Sequence, residues 1–252
     1  MGSRRRLRAH LIQAAFVATV LVVWYVTSTR GMVNPLIVPA LPQVWTEFVV
    51  ILTRGLFWSD LRITLVELAC GYAIAVGLGC SLGYAVSRAR YAIRAFDPLL
   101  AGLAATPVIL IYPLYVMFFG IGMGSKIAIG GTIGFFPIVL STIAGFGNVE
   151  PLYLKAARSM GASGAQLFRS VLFPAAFPVV LGGLRIGFIV TFLSILGAET
   201  LTSFSGLGHQ IVALGEMMDT AKMYGYIVFV VVIAATLNVT VTALERRGRR
   251  AR

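Results

Sequence analysis

Lys155-Ala-Ala-Arg-Ser-Met-Gly161, followed further on by Val171-Leu-Phe-Pro174, reads as a small-residue helix, a glycine break and a proline stop. It lies between two long apolar runs. The segment is too polar to cross a bilayer and too regular to be an irregular loop. Pro151 suits the first turn of a helix, Leu152–Met160 favours helix, and Gly161 ends it. Ser163 can cap a second short helix, with Gln166 three residues on as in a capping box. Pro174 and Pro178 then start the next apolar run. Ala156 and Ala157 leave little side-chain bulk, so the groove of another protein can close over this helix. A helix lying against the membrane surface is the other reading that the residues alone leave open.

The surroundings are those of a membrane protein. The chain is 58% hydrophobic and only 12% charged, with a mean hydropathy of +0.90. Soluble domains keep about a quarter of their residues charged. The net charge of +12 suggests nucleic-acid binding in a soluble protein. Here the basic residues sit between and beyond apolar runs, so membrane topology explains them better and nucleic acid is not an expected partner. Cys70 and Cys80 fall in one apolar run. Ten helical residues rise about 15 Å, too far for a bridge within the helix, so they read as small packing residues. His10 and His209 are isolated, and no Cys/His cluster has metal-ligand spacing.

A spanning helix needs about 20 mainly apolar residues. Six segments qualify: 10–27, 63–86, 98–119, 127–146, 177–196 and 224–244. The first resembles a signal peptide, but no small-x-small cleavage site follows Val26, so a retained helix is expected. Six spans put both ends of the chain on one side. Arg4, Arg5, Arg6, Arg8, Arg88, Arg90, Arg94, Lys155, Arg158, Arg169, Arg185, Arg246, Arg247, Arg249, Arg250 and Arg252 fall on one set of segments, sixteen of the 21 basic residues. Arg30, Arg54, Arg62, Lys126 and Lys222 fall on the other. The positive-inside rule then places both termini and the loop over 149–174 in the cytoplasm.

Packing signals are clearer than chemical ones. Gly71, Ala75, Gly79 and Gly83 form a stripe along the second span, and Gly183 and Gly187 repeat it in the fifth. Such stripes let helix backbones approach closely in lipid. They serve static packing within the chain or a sliding or dimer contact, and static packing is the preferred reading. Pro107 and Pro113 in the third span, and Pro137 in the fourth, predict kinks or local unwinding. On the outer side, Pro35, Pro39 and Pro42 precede Val44–Leu52, a stretch suited to the interface.

Few groups offer chemistry. Glu67 and Glu199 lie near the outer ends of the second and fifth spans, where an intramembrane carboxylate either lines a pathway or reaches interfacial water. Glu199, Thr191, Ser194 and Tyr112 are the candidate pathway residues, with Tyr115 and Asn238 also able to face a polar cavity. Hydroxyls equally bond back to their own helix. Gly120-Ile-Gly-Met-Gly-Ser-Lys126 imitates a phosphate-binding loop, but a P-loop needs Gly-Lys-Ser/Thr after four intervening residues and a preceding strand. No ATPase site, nucleophile elbow or H-E-x-x-H helix is present.

The 155–174 segment resembles the signature of binding-protein-dependent ABC transporter permeases, E-A-A-x3-G-x9-I-x-L-P. Ala156, Ala157, Gly161 and Pro174 match in register, with Val171 and Phe173 as apolar replacements. Leu36-Ile-Val-Pro-Ala-Leu-Pro42, Phe118-Phe-Gly-Ile-Gly122, Phe135-Phe-Pro137, Leu184-Arg-Ile186, Gly197-Ala-Glu199 and Ser205-Gly-Leu-Gly208 are similar to the nitrate/sulfonate/taurine-type subfamily. The order and spacing of these pieces along nearly the whole chain carry the resemblance. One position departs from the signature: Lys155 stands where the family has Glu.

The resemblance implies an all-α integral membrane protein: one transmembrane permease domain over 1–252 with six helices, of type I ABC importer (MetI-like) architecture. It implies a bacterial inner-membrane location and a coupling helix in the 149–174 loop, with Lys155, Ala156, Ala157, Arg158 and Gly161 as docking residues. The implied partners are a second permease copy, two cytoplasmic ATPase subunits that bind ATP and Mg, and an extracytoplasmic solute-binding protein. The chain itself would be no enzyme and hold no cofactor or metal. The implied cargo is a small polar or anionic solute, such as nitrate, a sulfonate, taurine or a vitamin precursor. An ion-coupled secondary transporter would need paired ionisable groups at mid-membrane and internal repeats, and a membrane enzyme would need a convergent polar site. Neither pattern is visible in the sequence.

Overall fold

The computed structural model describes residues 2–250, with side chains described over 11–240 apart from Ile109. The side chains of Arg4, Arg5, Arg6, Arg8, Arg246, Arg247, Arg249, Arg250 and Arg252, which enter the charge argument, lie outside the described residues. All regular structure among the described residues is helical. The helices are α1 (Gly2–Thr29), α2 (Leu41–Thr53), α3 (Gly55–Ser87), α4 (Arg90–Ala104), α5 (Tyr112–Phe119), α6 (Met123–Gly147), α7 (Pro151–Ser159), α8 (Gly164–Leu167), α9 (Phe173–Leu201), α10 (Leu207–Glu216) and α11 (Thr220–Arg250).

Among the described residues, five helical stretches are long and apolar enough to cross a membrane: Leu11–Thr29, Gly55–Ser87, Met123–Gly147, Gly164–Leu201 and Thr220–Thr240. They account for five of the six expected spans. The third, expected over 98–119 as one helix, is instead divided: α4 stops at Ala104, a 3₁₀ turn covers Val108–Ile111, and α5 restarts at Tyr112. The cause is the Thr106-Pro107 pair. Proline lacks the amide needed to continue the ladder and pushes the residue before it out of helical geometry. Pro113 then sits in the first turn of α5, where a missing donor costs nothing. Pro137, by contrast, lies inside a continuous α6.

The fifth span is longer than its apolar run. A π-helical turn over Phe168–Leu172 joins α8 to α9, so helix continues over 38 residues from Gly164. Pro174 and Pro178 follow within two turns, and their absent amides leave the ladder there open to the wider π spacing.

The described chain forms two compact units, one from residues up to 58 with 210–232, the other from 59–209 with 233 onward. In the first unit, α2 is amphipathic, burying Val44 and Ile51 while Trp45 is exposed. Phe48, Phe57, Tyr226 and Phe229 form an aromatic cluster with centroids 4.4–5.8 Å apart. The Trp24 indole donates to the Pro39 carbonyl at 3.1 Å and the Tyr224 hydroxyl to the Ile37 carbonyl at 3.2 Å, which pins the proline-rich segment.

In the second unit α6 packs against both α3 and α9. Both glycine stripes face it. A Cβ at Gly79 would come within 2.8 Å of Ile138, one at Gly83 within 2.6 Å of Thr142, and one at Gly187 within 2.5 Å of Ile138. Gly130, Gly131 and Gly134 of α6 answer from the other side. The stripes are therefore static packing inside the chain, where close approach replaces the hydrophobic drive that lipid does not supply.

Candidate functional site

Two places in the second unit concentrate functional geometry, at opposite ends of α3, α6 and α9. The first is the loop after α6. Pro151 occupies the first turn of α7. The helix ends in a Schellman arrangement: the Ala162 amide donates to the Ala157 carbonyl (3.1 Å) and the Gly161 amide to the Arg158 carbonyl (3.0 Å). Gly161 has φ +79°, a left-handed conformation that costs an L-residue about 1–2 kcal/mol. Ser163 and Gln166 then form the expected capping box, with bonds of 3.3 and 2.8 Å. The loop is thus a preformed helix–turn–helix.

Its faces are distinct. Ala157 is buried. Pro151, Leu154 and Arg158 line a cavity together with Tyr84, Phe146, Phe168, Arg88 and Arg90. The three rings pack at 5.0–6.2 Å. Lys155, Ala156, Arg158 and Gly161 are exposed. Replacing Ser163 with alanine removes the cap and is expected to cost about 1 kcal/mol. That is roughly fivefold faster amide exchange over residues 164–167. Unchanged exchange there by mass spectrometry would show that the cap does not hold the turn.

The second place is a buried polar knot. Asp60, Thr64 and Glu67 recur on one face of α3 and are at most 3% exposed. Lys126 of α6 is 1% exposed. Its ammonium lies 2.6 Å from Glu67 Oε1 and donates to Ser203 Oγ at 3.0 Å. Glu199, at the end of α9, accepts from the Thr64 hydroxyl at 2.6 Å and from the Gly208 amide at 2.7 Å. Asp60 accepts from the Gly206 amide at 2.9 Å and Thr64 Oγ1 from the Leu207 amide at 3.1 Å. Three side chains from two helices thus satisfy the free amides at the start of α10, where negative charge is favoured.

This accounts for the Gly-Leu-Gly spacing. Gly206 has φ +107°, and a Cβ there would collide with a Glu199 carboxylate oxygen. A Cβ on Gly208 would lie 2.6 Å from the Leu196 carbonyl. Sequence reasoning missed the Glu67–Lys126 pair. The available signal was two opposite charges at the outer ends of apolar runs, Glu67 just inside the second and Lys126 just before the fourth.

The four pathway candidates do not converge. Glu199 is held in the knot. Thr191 is fully buried in the α6–α9 seam, its hydroxyl filling the space that a Cβ on Gly134 would need. The Ser194 hydroxyl donates to the Val190 carbonyl at 2.6 Å on its own helix. Tyr112 donates to the Thr202 carbonyl at 3.3 Å and lines a cavity with Leu110, Pro113, Val116 and Leu201. A second cavity opens beside the divided span, lined by Thr106, Pro107, Phe136, Pro137, Ile186 and Val190 among others. Asn238 accepts from Arg185 at 3.2–3.3 Å. Among the described residues no group of three His, Cys, Asp or Glu is placed to hold a metal ion.

Residues 73–250 match the family model described as binding-protein-dependent transport system inner membrane component. The chain is 31% identical to the taurine transport system permease protein TauC of Escherichia coli (strain K12), over 91% of this chain and 86% of that one. It is 26% identical to the putative aliphatic sulfonates transport permease protein SsuC of Bacillus subtilis (strain 168), over 91% and 83%. It is 30% identical to the riboflavin transport system permease protein RibX of Chloroflexus aurantiacus, over 90% and 84%. Among solved structures, a chain of the inward-facing MetNI methionine ABC transporter superposes with a TM-score of 0.58 at 22% identity, covering 84% of this chain and 98% of that one. A chain of an amino acid ABC transporter superposes at 0.59 and 21% identity, over 78% and 94%. At these identities the structural matches establish the fold.

Proposed function

We propose, for a chain that belongs to the family of binding-protein-dependent transport system inner membrane components, that the 149–174 loop is where ATP-driven motion enters the molecule. The chain is the multi-pass inner-membrane permease subunit of an ABC importer, not an enzyme. In our reading the basic end of the helices is cytoplasmic, as are both termini. Two copies pair and two ATPase subunits bind and hydrolyse ATP. A solute-binding protein delivers cargo at the end that carries the polar knot. The pathway follows the divided third span, where Tyr112 and Thr106 face open cavities. The cargo is a small polar or anionic organic solute, the class named for the taurine and sulfonate relatives. Calorimetry on the solute-binding protein that serves this permease tests that assignment.

The observation that carries this reading is the preformed turn at Gly161, set beside an exposed Lys155-Ala156 surface. Nothing lies within 4 Å of a Cβ built on Gly161, so a side chain there acts through backbone strain rather than collision. A strain of about 1–2 kcal/mol lowers the population of the turn roughly 5–30-fold. In liposomes holding the permease, ATPase and binding protein, Gly161→Trp is expected to uncouple ATP hydrolysis from uptake. Gly161→Asn, which tolerates the left-handed region, is expected to keep them linked. Wild-type uptake and ATPase stimulation in the Trp variant would refute the assignment. Uptake that persists without ATPase subunits and collapses with an ion gradient would refute the importer mechanism itself.

A further inference from the structure

We propose that the ATPase subunit served by this chain offers α7 an apolar groove with a carboxylate on one wall, and that Lys155 is the partner of that carboxylate. This rests on the reading that α7 docks an ATPase, and adds the chemistry of the surface it meets. At 100° per residue the nine residues of α7 divide cleanly. Leu154, Ala157 and Arg158 turn toward the body of the unit, Ala157 as a buried residue and the other two as cavity lining. Leu152, Ala156 and Ser159 occupy the opposite face, continued by Met160. Tyr153 flanks it on one side and Lys155 on the other.

The outward face has a shape and a charge. Its centre is small, Ala156 and Ser159, while its ends are large. Leu152 is 63% exposed, Tyr153 56% and Met160 81%. A groove can close over the small centre and take the large apolar groups at either end, as an amphipathic helix is held by anchors spaced along one face. Lys155 is the charged side chain at the edge of this face; Arg158, also exposed, lies about 60° further round the helix, among the residues that line the cavity. A closing groove would strip water from the ammonium, and such a charge is tolerated when an opposite charge meets it. A cationic groove would meet like charge and be rejected. The groove wall beside Lys155 therefore carries Asp or Glu. An anionic membrane surface is the competing occupant of a basic apolar face, but α7 already turns its inward face to the body of the unit, and its outward centre is too small to anchor in lipid.

The test uses the permease in nanodiscs with its cognate ATPase, treated with a carbodiimide that joins an amine directly to a carboxylate. The expected result is a cross-linked peptide joining Lys155 to an ATPase Asp or Glu. Lys155→Arg should keep assembly and lose the cross-link, because the guanidinium preserves the ion pair but does not react. Lys155→Glu should weaken assembly roughly tenfold or more, and changing the cross-linked acid to Lys should restore it. An intact complex with no cross-link at Lys155, together with unweakened assembly of Lys155→Glu, would overturn the proposal. So would slowed amide exchange over 151–160 on anionic vesicles alone, unchanged by the ATPase. Failure of the wild-type chain and ATPase to assemble at all would instead overturn the docking assignment on which the proposal stands.

Discussion

Lys126→Met is expected to lower the melting temperature of the purified protein in mild detergent by roughly 6–20 °C and to reduce its folded yield sharply. The ammonium of Lys126 lies 2.6 Å from Glu67 and 3.0 Å from Ser203 in a knot that also buries Asp60 and Glu199. It is the cation of that knot among the described residues. Methionine fills a similar volume, so the change removes charge rather than packing. Uncompensated carboxylates buried with no counter-ion cost about 3–5 kcal/mol, a large share of the roughly 5–15 kcal/mol that holds a typical domain together. The variant also loses the hydrogen bond to Ser203.

The same physics makes a second measurement decisive. Removing both members of a buried ion pair in favour of apolar groups is often close to neutral. Lys126→Met combined with Glu67→Met should therefore recover most of the lost stability. If the double variant melts no higher than Lys126→Met alone, the pair is not the source of the effect. A single variant within about 2 °C of wild type would mean that loss of Lys126 does not leave an uncompensated buried charge.

How far the sequence could be read depended on whether the cause was local. The spans of α3, α6, α9 and α11 follow from runs of apolar residues, which any short window reveals. Gly161 and the Ser163/Gln166 box are also local. Their hydrogen bonds close within three to five residues, so residue type and spacing settle them. The divided third span was half legible. Pro107 announced a disturbance, but whether a proline bends a helix or ends it depends on neighbours, as the continuous α6 around Pro137 makes plain.

The polar knot was not legible for a different reason. Glu67, Lys126 and Glu199 come from three helices, and no periodicity connects them. Each alone has an innocent explanation near a helix end, where a charged group reaches water. That α3 starts at Gly55 and not near residue 63 changes the chemistry. At 1.5 Å per residue Glu67 lies about 18 Å along the helix, where a neighbouring charge rather than water must answer it. Glycines within the Gly197-Ala-Glu199 and Ser205-Gly-Leu-Gly208 motifs also gain a cause. The Glu199 carboxylate occupies the space that side chains on Gly206 and Gly208 would need, so these two short motifs are a single contact seen from both ends.

Gly183→Leu is expected to abolish the folded protein, while Gly182→Leu, one residue earlier, leaves it intact. Both glycines lie mid-way along α9 with unremarkable helical neighbours, and residue type alone does not separate them. A Cβ on Gly183 would collide with the Ser141 side chain and fall 2.9 Å from the Pro137 carbonyl oxygen. The second contact is backbone, which cannot rotate away, so α9 would have to move away from α6. Overpacking in a close-packed interior costs about 1–3 kcal/mol when side chains can yield, and a fixed carbonyl raises that cost. Gly182 has nothing within 4 Å of its Cβ position, so leucine there meets open space. Ser141→Gly added to Gly183→Ala should restore part of the loss by removing the side-chain collision, with the Pro137 carbonyl accounting for the remainder. Equal melting temperatures for the two leucine variants would mean that α6 and α9 are not packed glycine to carbonyl, and close helix approach would then no longer explain the glycine stripes.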